Sequence, residues 1–214
     1  TFFDFSIVQK NIKWLQGYSD PTGLLFTITT NLDIATIYGS NFVGFGMDIW
    51  HESLENNLDI LEGNLFVQKS FPEYESMRVD MITGREEYHL DASVYWKTLN
   101  HEKEVSFKGR IIGGCIDIIT ELFGTRFDKT KEFIEKYRED GIIWYFDNCE
   151  LSTEDIVRTL WKFKDNGWFK YAQGIIFGRS ATNYSNMGMM MEDAIKRVLG
   201  DLDLPIILDA DIGH

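Results

Sequence analysis

Three stretches of this chain hold the residue types of acyl-transfer chemistry, and each follows a strand-like run. The first is Gly17-Tyr18-Ser19-Asp20-Pro21-Thr22. A serine between a strand end and a helix start occupies the place of a nucleophile elbow. The sharp turn lifts its hydroxyl off the sheet edge, and the helix N-terminus offers N–H groups and partial positive charge to a developing oxyanion. The Gly-x-Ser-x-Gly pattern itself is missing, because position 21 is Pro, and a plain turn or cap serine is the competing reading.

The second stretch is Leu208-Asp209-Ala210-Asp211-Ile212-Gly213-His214. With only four histidines, the choice of general base is narrow. His51 opens a helix beside Trp50, and His89 and His101 lie in an irregular region. His214 alone follows a strand-like run through a glycine, which puts it at the carboxyl edge where open parallel sheets bind ligands. A disordered chain end is the alternative. The third stretch runs from Ile142 to Phe146 and then Asp147, Asn148, Cys149 and Glu150. Asp147 falls on the same sheet edge, able to orient an imidazole and stabilise its charged form. A helix-capping acid is the competing reading, and Glu150 is a second candidate for the acidic role.

Other chemistries fit less well. There is no His-Glu-x-x-His pair, and Cys115 and Cys149 have no histidine near them in sequence to complete a zinc site. No phosphate-binding Gly-x-x-x-x-Gly-Lys-Ser/Thr loop occurs. Gly109-Arg-Ile-Ile-Gly113-Gly114 lacks the dinucleotide spacing and reads as a close-approach turn. Asp209 and Asp211 form an acidic pair that could take a divalent cation with a nucleotide sugar. A net charge of −13 argues against nucleic acid or an anionic membrane as partner. No apolar run approaches the roughly 18 residues of a membrane span. Two cysteines make no disulfide framework, which fits a reducing, cytoplasmic setting.

The elements that must position these residues alternate. Helices are expected at Ser6–Ile12, from Asp20-Pro21-Thr22 onward (Asp20 as N-cap, with Leu24, Leu25 and Ile28), and at Ser53–Leu61, Gly114–Phe123, Lys129–Glu139, Thr153–Asn166 and Met191–Leu199. Strands are expected at Lys13–Gln16, Ile34–Tyr38, Leu65–Ser70, Ile142–Phe146, Gly174–Phe177 and Pro205–Leu208. Residues 72–104 read as an irregular crossover holding a hairpin, and Asn183–Met191 as a Met-rich loop, either a surface loop or a substrate lid. Strands alternating with helices predict an α/β fold with a largely parallel sheet, divided into residues 1–103 and 104–214. Thr1 and His214 abut regular elements without polar tails, so the chain reads as an internal piece of a longer one.

In order, Gly17-Tyr-Ser-Asp-Pro-Thr22, Gly109-Arg-Ile-Ile-Gly-Gly-Cys-Ile116, Trp144-Tyr-Phe-Asp147, Gly174-Ile-Ile-Phe-Gly-Arg179 and Asp211-Ile-Gly-His214 resemble the serine LD-carboxypeptidase family, which includes the microcin C immunity peptidases. The resemblance implies a flavodoxin-like N-terminal domain, incomplete here, and a second α/β domain with the active site in the cleft between them. It implies Ser19 as nucleophile, His214 as base, Asp147 as acid, the Asp20 backbone N–H as half of the oxyanion hole, and Gly113, Gly114 and Trp96 as substrate-binding residues. The family's first strands and its glycine-rich oxyanion turn would precede Thr1. The implied substrate is a small peptide or peptidyl-nucleotide with an amide beside a free carboxylate: a murein tetrapeptide losing D-alanine, or microcin C. A homodimer is implied, and neither a metal nor an organic cofactor. Trp96, Tyr88 and Trp168 could stack on a nucleotide or serve as core and interface residues. Asp147 stands where the family usually has Glu, which motivates the alternative of a non-catalytic binding protein that keeps the cleft.

Overall fold

The computed structural model describes residues 4–77 and 82–214, so part of the crossover expected at 72–104 lies outside the described residues. Helix α1 (Phe5–Lys10) starts where the Asp4 carboxylate accepts the Ser6 N–H at 2.9 Å. Strand β1 (Gln16–Gly17) leads through the Ser19 turn into α2 (Thr22–Leu32), and β2 (Ile37–Tyr38) returns parallel to β1, with Gly17 opposite Tyr38. Asp20 is not the N-cap of α2; Pro21 is, in helical conformation and without a side-chain cap. Its carbonyl accepts the N–H groups of Leu24 and Leu25, each at 3.0 Å. After a 3₁₀ turn at Phe42–Gly46 comes α3 (Glu52–Leu61), whose cap is His51: Nδ1 accepts the Ser53 N–H at 3.2 Å.

The hairpin expected in the crossover is β3 (Glu73–Tyr74) against β4 (Ala92–Ser93), antiparallel. The strand expected at Leu65–Ser70 is not one. Among the described residues no strand pairs with this stretch, so its backbone joins no ladder there, and Leu65 and Val67 stay exposed.

The main sheet has the order β5-β9-β8-β7-β6, built from β5 (Lys97–Thr98), β6 (Arg110–Cys115), β7 (Ile142–Asp147), β8 (Ala172–Gly178) and β9 (Ile206–Ala210). All neighbours are parallel except β5, an antiparallel edge strand drawn from the crossover. Helices α4 (Ile116–Leu122), α5 (Thr130–Lys136), α6 (Thr153–Asp165) and α7 (Met191–Leu199) connect the parallel strands. The glycine stretch expected to be a turn is strand β6. Its glycines do serve close approach: a Cβ on Gly113 would run into the Tyr145 carbonyl, and one on Gly114 would lie 2.6 Å from Thr22 Cγ2.

The core explains why the Ser19 turn is held against this sheet. Along β7, Ile142, Trp144 and Phe146 are fully buried, meeting Leu160 and Phe163 of α6 and Trp168 in one cluster. Trp168 stacks on Phe163 at 4.1 Å and lies parallel to Trp144 at 5.5 Å, so it is a core residue and not a nucleotide platform. Large aromatic surfaces dominate such a core's energetics. Phe26 of α2 belongs to the same cluster, 6.2 Å from Trp168. The helix that follows Ser19 is thus anchored in the hydrophobic centre of the main sheet. Asp33, which ends α2 in a left-handed conformation, adds an ion pair with Lys136 at 2.6 Å.

Candidate active site

Because the strand order is β9-β8-β7, the segment leaving β9 must cross the end of β8 to reach β7. Gly178 makes the crossing possible, since a Cβ there would collide with the Ile212 carbonyl. Arg179 secures it. Its guanidinium pairs with Asp211 at 2.5 Å, donates to the Asp209 carbonyl at 3.3 Å and covers the Tyr74 ring at 4.1 Å. Asp211 also accepts the Phe71 N–H at 3.1 Å, and Asp209 pairs with Lys97 at 2.7 Å. The acidic pair read as a cation site is therefore matched to the chain's own cations.

The crossing delivers His214 to Asp147. His214 Nδ1 lies 2.6 Å from Asp147 Oδ2, and the His214 backbone N–H donates to Oδ1 at 3.1 Å. Asp147 is 0% exposed and the His214 side chain 11%. A buried carboxylate with this many donors is adequately compensated for lost water. The bond engages Nδ1 and leaves Nε2 as the ring nitrogen for a second partner. Glu150 is not the acid that holds the imidazole. It is exposed, and its N–H is bound at 2.8 Å by Asp117, which also accepts the N–H groups of Cys149 and Leu151 at 3.1 Å each. Asp117 thereby pins the loop that follows Asp147.

Ser19 sits half-buried with φ at 66°, the strained left-handed backbone expected of a sharp elbow. Its carbonyl accepts the Thr22 N–H at 2.9 Å, closing the turn into α2. The Asn41 amide grips the backbone of Tyr18 from both sides, accepting its N–H at 3.2 Å and donating to its carbonyl at 3.3 Å. The Tyr18 ring meets the His214 ring edge-on at 5.0 Å. Asp20 is exposed at the start of the turn.

One residue joins the two halves that the sequence reading did not single out. The Tyr38 hydroxyl donates to Asp147 Oδ2 at 2.7 Å and accepts the Ser19 N–H at 3.4 Å. Burial first, and then the adjacent carboxylate, push this phenol well above its ordinary range, so it stays protonated as a donor. Its sequence signal was its position: it ends a strand in register with Gly17, on the same edge as Ser19.

Cys115, opposite Asp147 in the sheet register, completes the neighbourhood. Its thiol, a carboxylate oxygen of Asp147 and a ring nitrogen of His214 lie within 4.8 Å of one another, the one trio among the described residues that could hold a metal ion. Each member already has a protein partner. The thiol contacts Asp117 at 3.3 Å, and burial pushes its pKa up, away from the thiolate a metal requires. Gly113 and Gly114 are buried in β6, where their bare Cα atoms serve the packing of Tyr145 and Thr22. Trp96 is half-exposed just before β5, and Tyr88 meets His51 edge-on at 5.6 Å.

Residues 108–214 match the family model for the LD-carboxypeptidase C-terminal domain. A Treponema pallidum protein that carries a provisional carboxypeptidase name is 24% identical over 212 residues, which take in 99% of this chain and 59% of that protein. The microcin C7 self-immunity protein MccF of Escherichia coli is 24% identical over 221 residues, 100% of this chain and 61% of MccF. A solved structure of MccF in complex with aspartyl sulfamoyl adenosine matches with a TM-score of 0.74 at 18% identity, covering 99% of this chain and 62% of that one. The chain thus spans about three fifths of the length of these relatives. Among the described residues no helix is long and apolar enough to cross a membrane.

Proposed function

This chain belongs to the LD-carboxypeptidase family, and we propose that its protein is a serine carboxypeptidase that hydrolyses an amide beside a free carboxylate through an acyl-enzyme. Residues 1–103 supply the nucleophile, and residues 104–214 supply the acid and the base. His214 Nε2 takes the Ser19 proton as Oγ attacks the carbonyl carbon, and returns it to the leaving amine. Asp147 holds the imidazole by Nδ1 and stabilises its charged form, and water then repeats the cycle on the ester. The Asp20 backbone N–H donates to the oxyanion, assisted by the N-terminus of α2.

The observation that carries this reading is the 2.6 Å Asp147–His214 contact, tied through Tyr38 to the Ser19 turn. It also weakens the motive for a non-catalytic binder, because the shorter acid still reaches the imidazole. The test is fluorophosphonate labelling of the intact protein. Labelling confined to Ser19 supports the peptidase; a folded protein that takes no label favours the binder.

Two substrate classes follow from the family. The relative solved with aspartyl sulfamoyl adenosine favours an aminoacyl-nucleotide, and exposed Trp96 offers an aromatic face for its base. A murein tetrapeptide is the other. Parallel turnover assays separate them: release of D-alanine marks the murein branch, and release of the free amino acid from an aminoacyl sulfamoyl-adenylate marks the nucleotide branch.

A further inference from the structure

We infer that Tyr38 is a positioning residue for the proposed hydrolysis, its single hydroxyl holding the acid–imidazole pair in register with the serine turn. The inference rests on the reading above and adds to it a residue outside the Ser-Asp-His set. Asp147 and His214 come from the carboxyl edge of the main sheet, whereas Ser19 follows the two-stranded sheet of β1 and β2. Strand hydrogen bonds do not cross between the two sheets. The Tyr38 oxygen does, donating to Asp147 Oδ2 at 2.7 Å and accepting the Ser19 N–H at 3.4 Å.

Three further contacts make this a held geometry. Tyr38 is fixed in β2 beside Gly17, and the Gly39 N–H donates to the Gly17 carbonyl at 3.2 Å. The Tyr38 ring rests on the Tyr145 ring at 5.5 Å. Tyr145 is itself a residue of β7, two positions before Asp147. The ring therefore packs on the strand that carries the acid, while the hydroxyl reaches the carboxylate.

The chemistry gives the hydroxyl two effects. On Oδ2 it shares the carboxylate with His214 Nδ1 and so fixes which oxygen faces the imidazole and at what angle. At Ser19 it accepts a backbone N–H whose residue is in a strained conformation, so it helps hold the turn that presents the hydroxyl nucleophile. A phenylalanine retains the ring packing and loses both bonds.

The test is Tyr38→Phe in the intact protein, alone and combined with Asp147→Asn. If Tyr38 acts through the acid, kcat falls about 10- to 100-fold while KM changes by less than about threefold. The downfield proton resonance of His214 Nδ1–H shifts in Tyr38→Phe, because the carboxylate facing it has lost a donor. In the Asp147→Asn background the same substitution costs less than about twofold. Unchanged kcat with an unmoved resonance overturns the inference, as does a full additive loss in the double variant, which would mark Tyr38 as merely structural. Circular dichroism and thermal melting confirm that each variant folds. A wild-type protein that takes no fluorophosphonate fails the peptidase reading itself, whereas a labelled, active wild type with an indifferent Tyr38→Phe fails only this inference.

Discussion

Gly213 lays its bare Cα against the carboxyl group of Asp147, leaving no room there for even one methyl group. This contact explains how the short Asp147 side chain reaches the imidazole: the chain itself comes in to meet it, and the His214 N–H bonds Oδ1 at 3.1 Å. Asp147→Glu is therefore not a harmless lengthening of the acid. The extra methylene enters a site that is 0% exposed and costs about 1–3 kcal/mol by overpacking. Chemical denaturation and kcat both report it; equal stability with improved turnover would show that the loop has slack.

Gly213→Ala attacks the same contact from the other side. The residue has φ at 86°, which a side chain adopts only under strain, and its new Cβ would fall on the Asp147 carboxyl. The expected result is loss of the Nδ1–Oδ2 hydrogen bond, seen as disappearance of the downfield His214 proton, with activity falling alongside it. A retained resonance would mean that the turn can back away intact.

Ser19→Ala separates chemistry from folding. Alanine meets the same backbone strain at φ 66° as serine does, and the backbone bonds of the turn are untouched. Stability should stay within about 1 kcal/mol of wild type. Hydrolysis should fall by at least about a thousandfold, and fluorophosphonate labelling should vanish. Persistent labelling would move the nucleophile elsewhere.

The parts of this arrangement that the sequence made legible share one property: their signal is local. Trp144 and Phe146 mark β7 because they sit in an unbroken apolar run, Ile142 to Phe146, and the bounds of α7 agree with the expected Met191–Leu199. Asp147 and His214 could be placed on one edge because each follows a strand. Strand β6 was hidden because Gly113 and Gly114 look like a turn until Tyr145 and Thr22 are seen packed on them. Leu65–Ser70 misled for the opposite reason: its residues suit a strand, but strands need partners, and among the described residues none pairs with it. The roles of Tyr38 and Gly178 could not be read because they depend on which strands lie side by side, and no local pattern records that order.

The junction between the serine turn and the main sheet can be weakened without changing Ser19, Asp147 or His214. Thr22 is buried, and its Oγ1 accepts the Cys115 N–H at 3.1 Å. Thr22→Val keeps the shape and removes the acceptor, leaving a buried N–H unpaired at a cost of about 1–3 kcal/mol. Urea unfolding should show that loss, with KM little changed. No loss of stability would mean that another acceptor or a water replaces the hydroxyl.

One carboxylate gathers several of the hydrogen bonds that hold the Met-rich segment Asn183–Met191, which gives it a testable pH dependence. Glu154, nearly buried at the start of α6, accepts the Ser185 hydroxyl at 2.6 Å and the N–H groups of Met187 at 2.9 Å and Asn186 at 3.3 Å. The Ser185 bond, followed by the backbone donors, lowers its pKa to about 2 from an ordinary 4.5. The folded state thus favours the ionised form, so the stabilisation is complete above the unfolded-state pKa and drains away as pH falls toward the folded value. Glu154→Gln removes the charge at every pH. The melting temperature of wild type should exceed that of Glu154→Gln at neutral pH, and the gap should narrow as pH drops from about 6 to about 3. Limited proteolysis at neutral pH should cut the variant first within this segment. A gap that stays constant across that pH range would show that the carboxylate charge does not hold the loop, and that the segment is fixed by its other contacts, such as the Thr153 N–H to Tyr184 carbonyl bond at 2.9 Å.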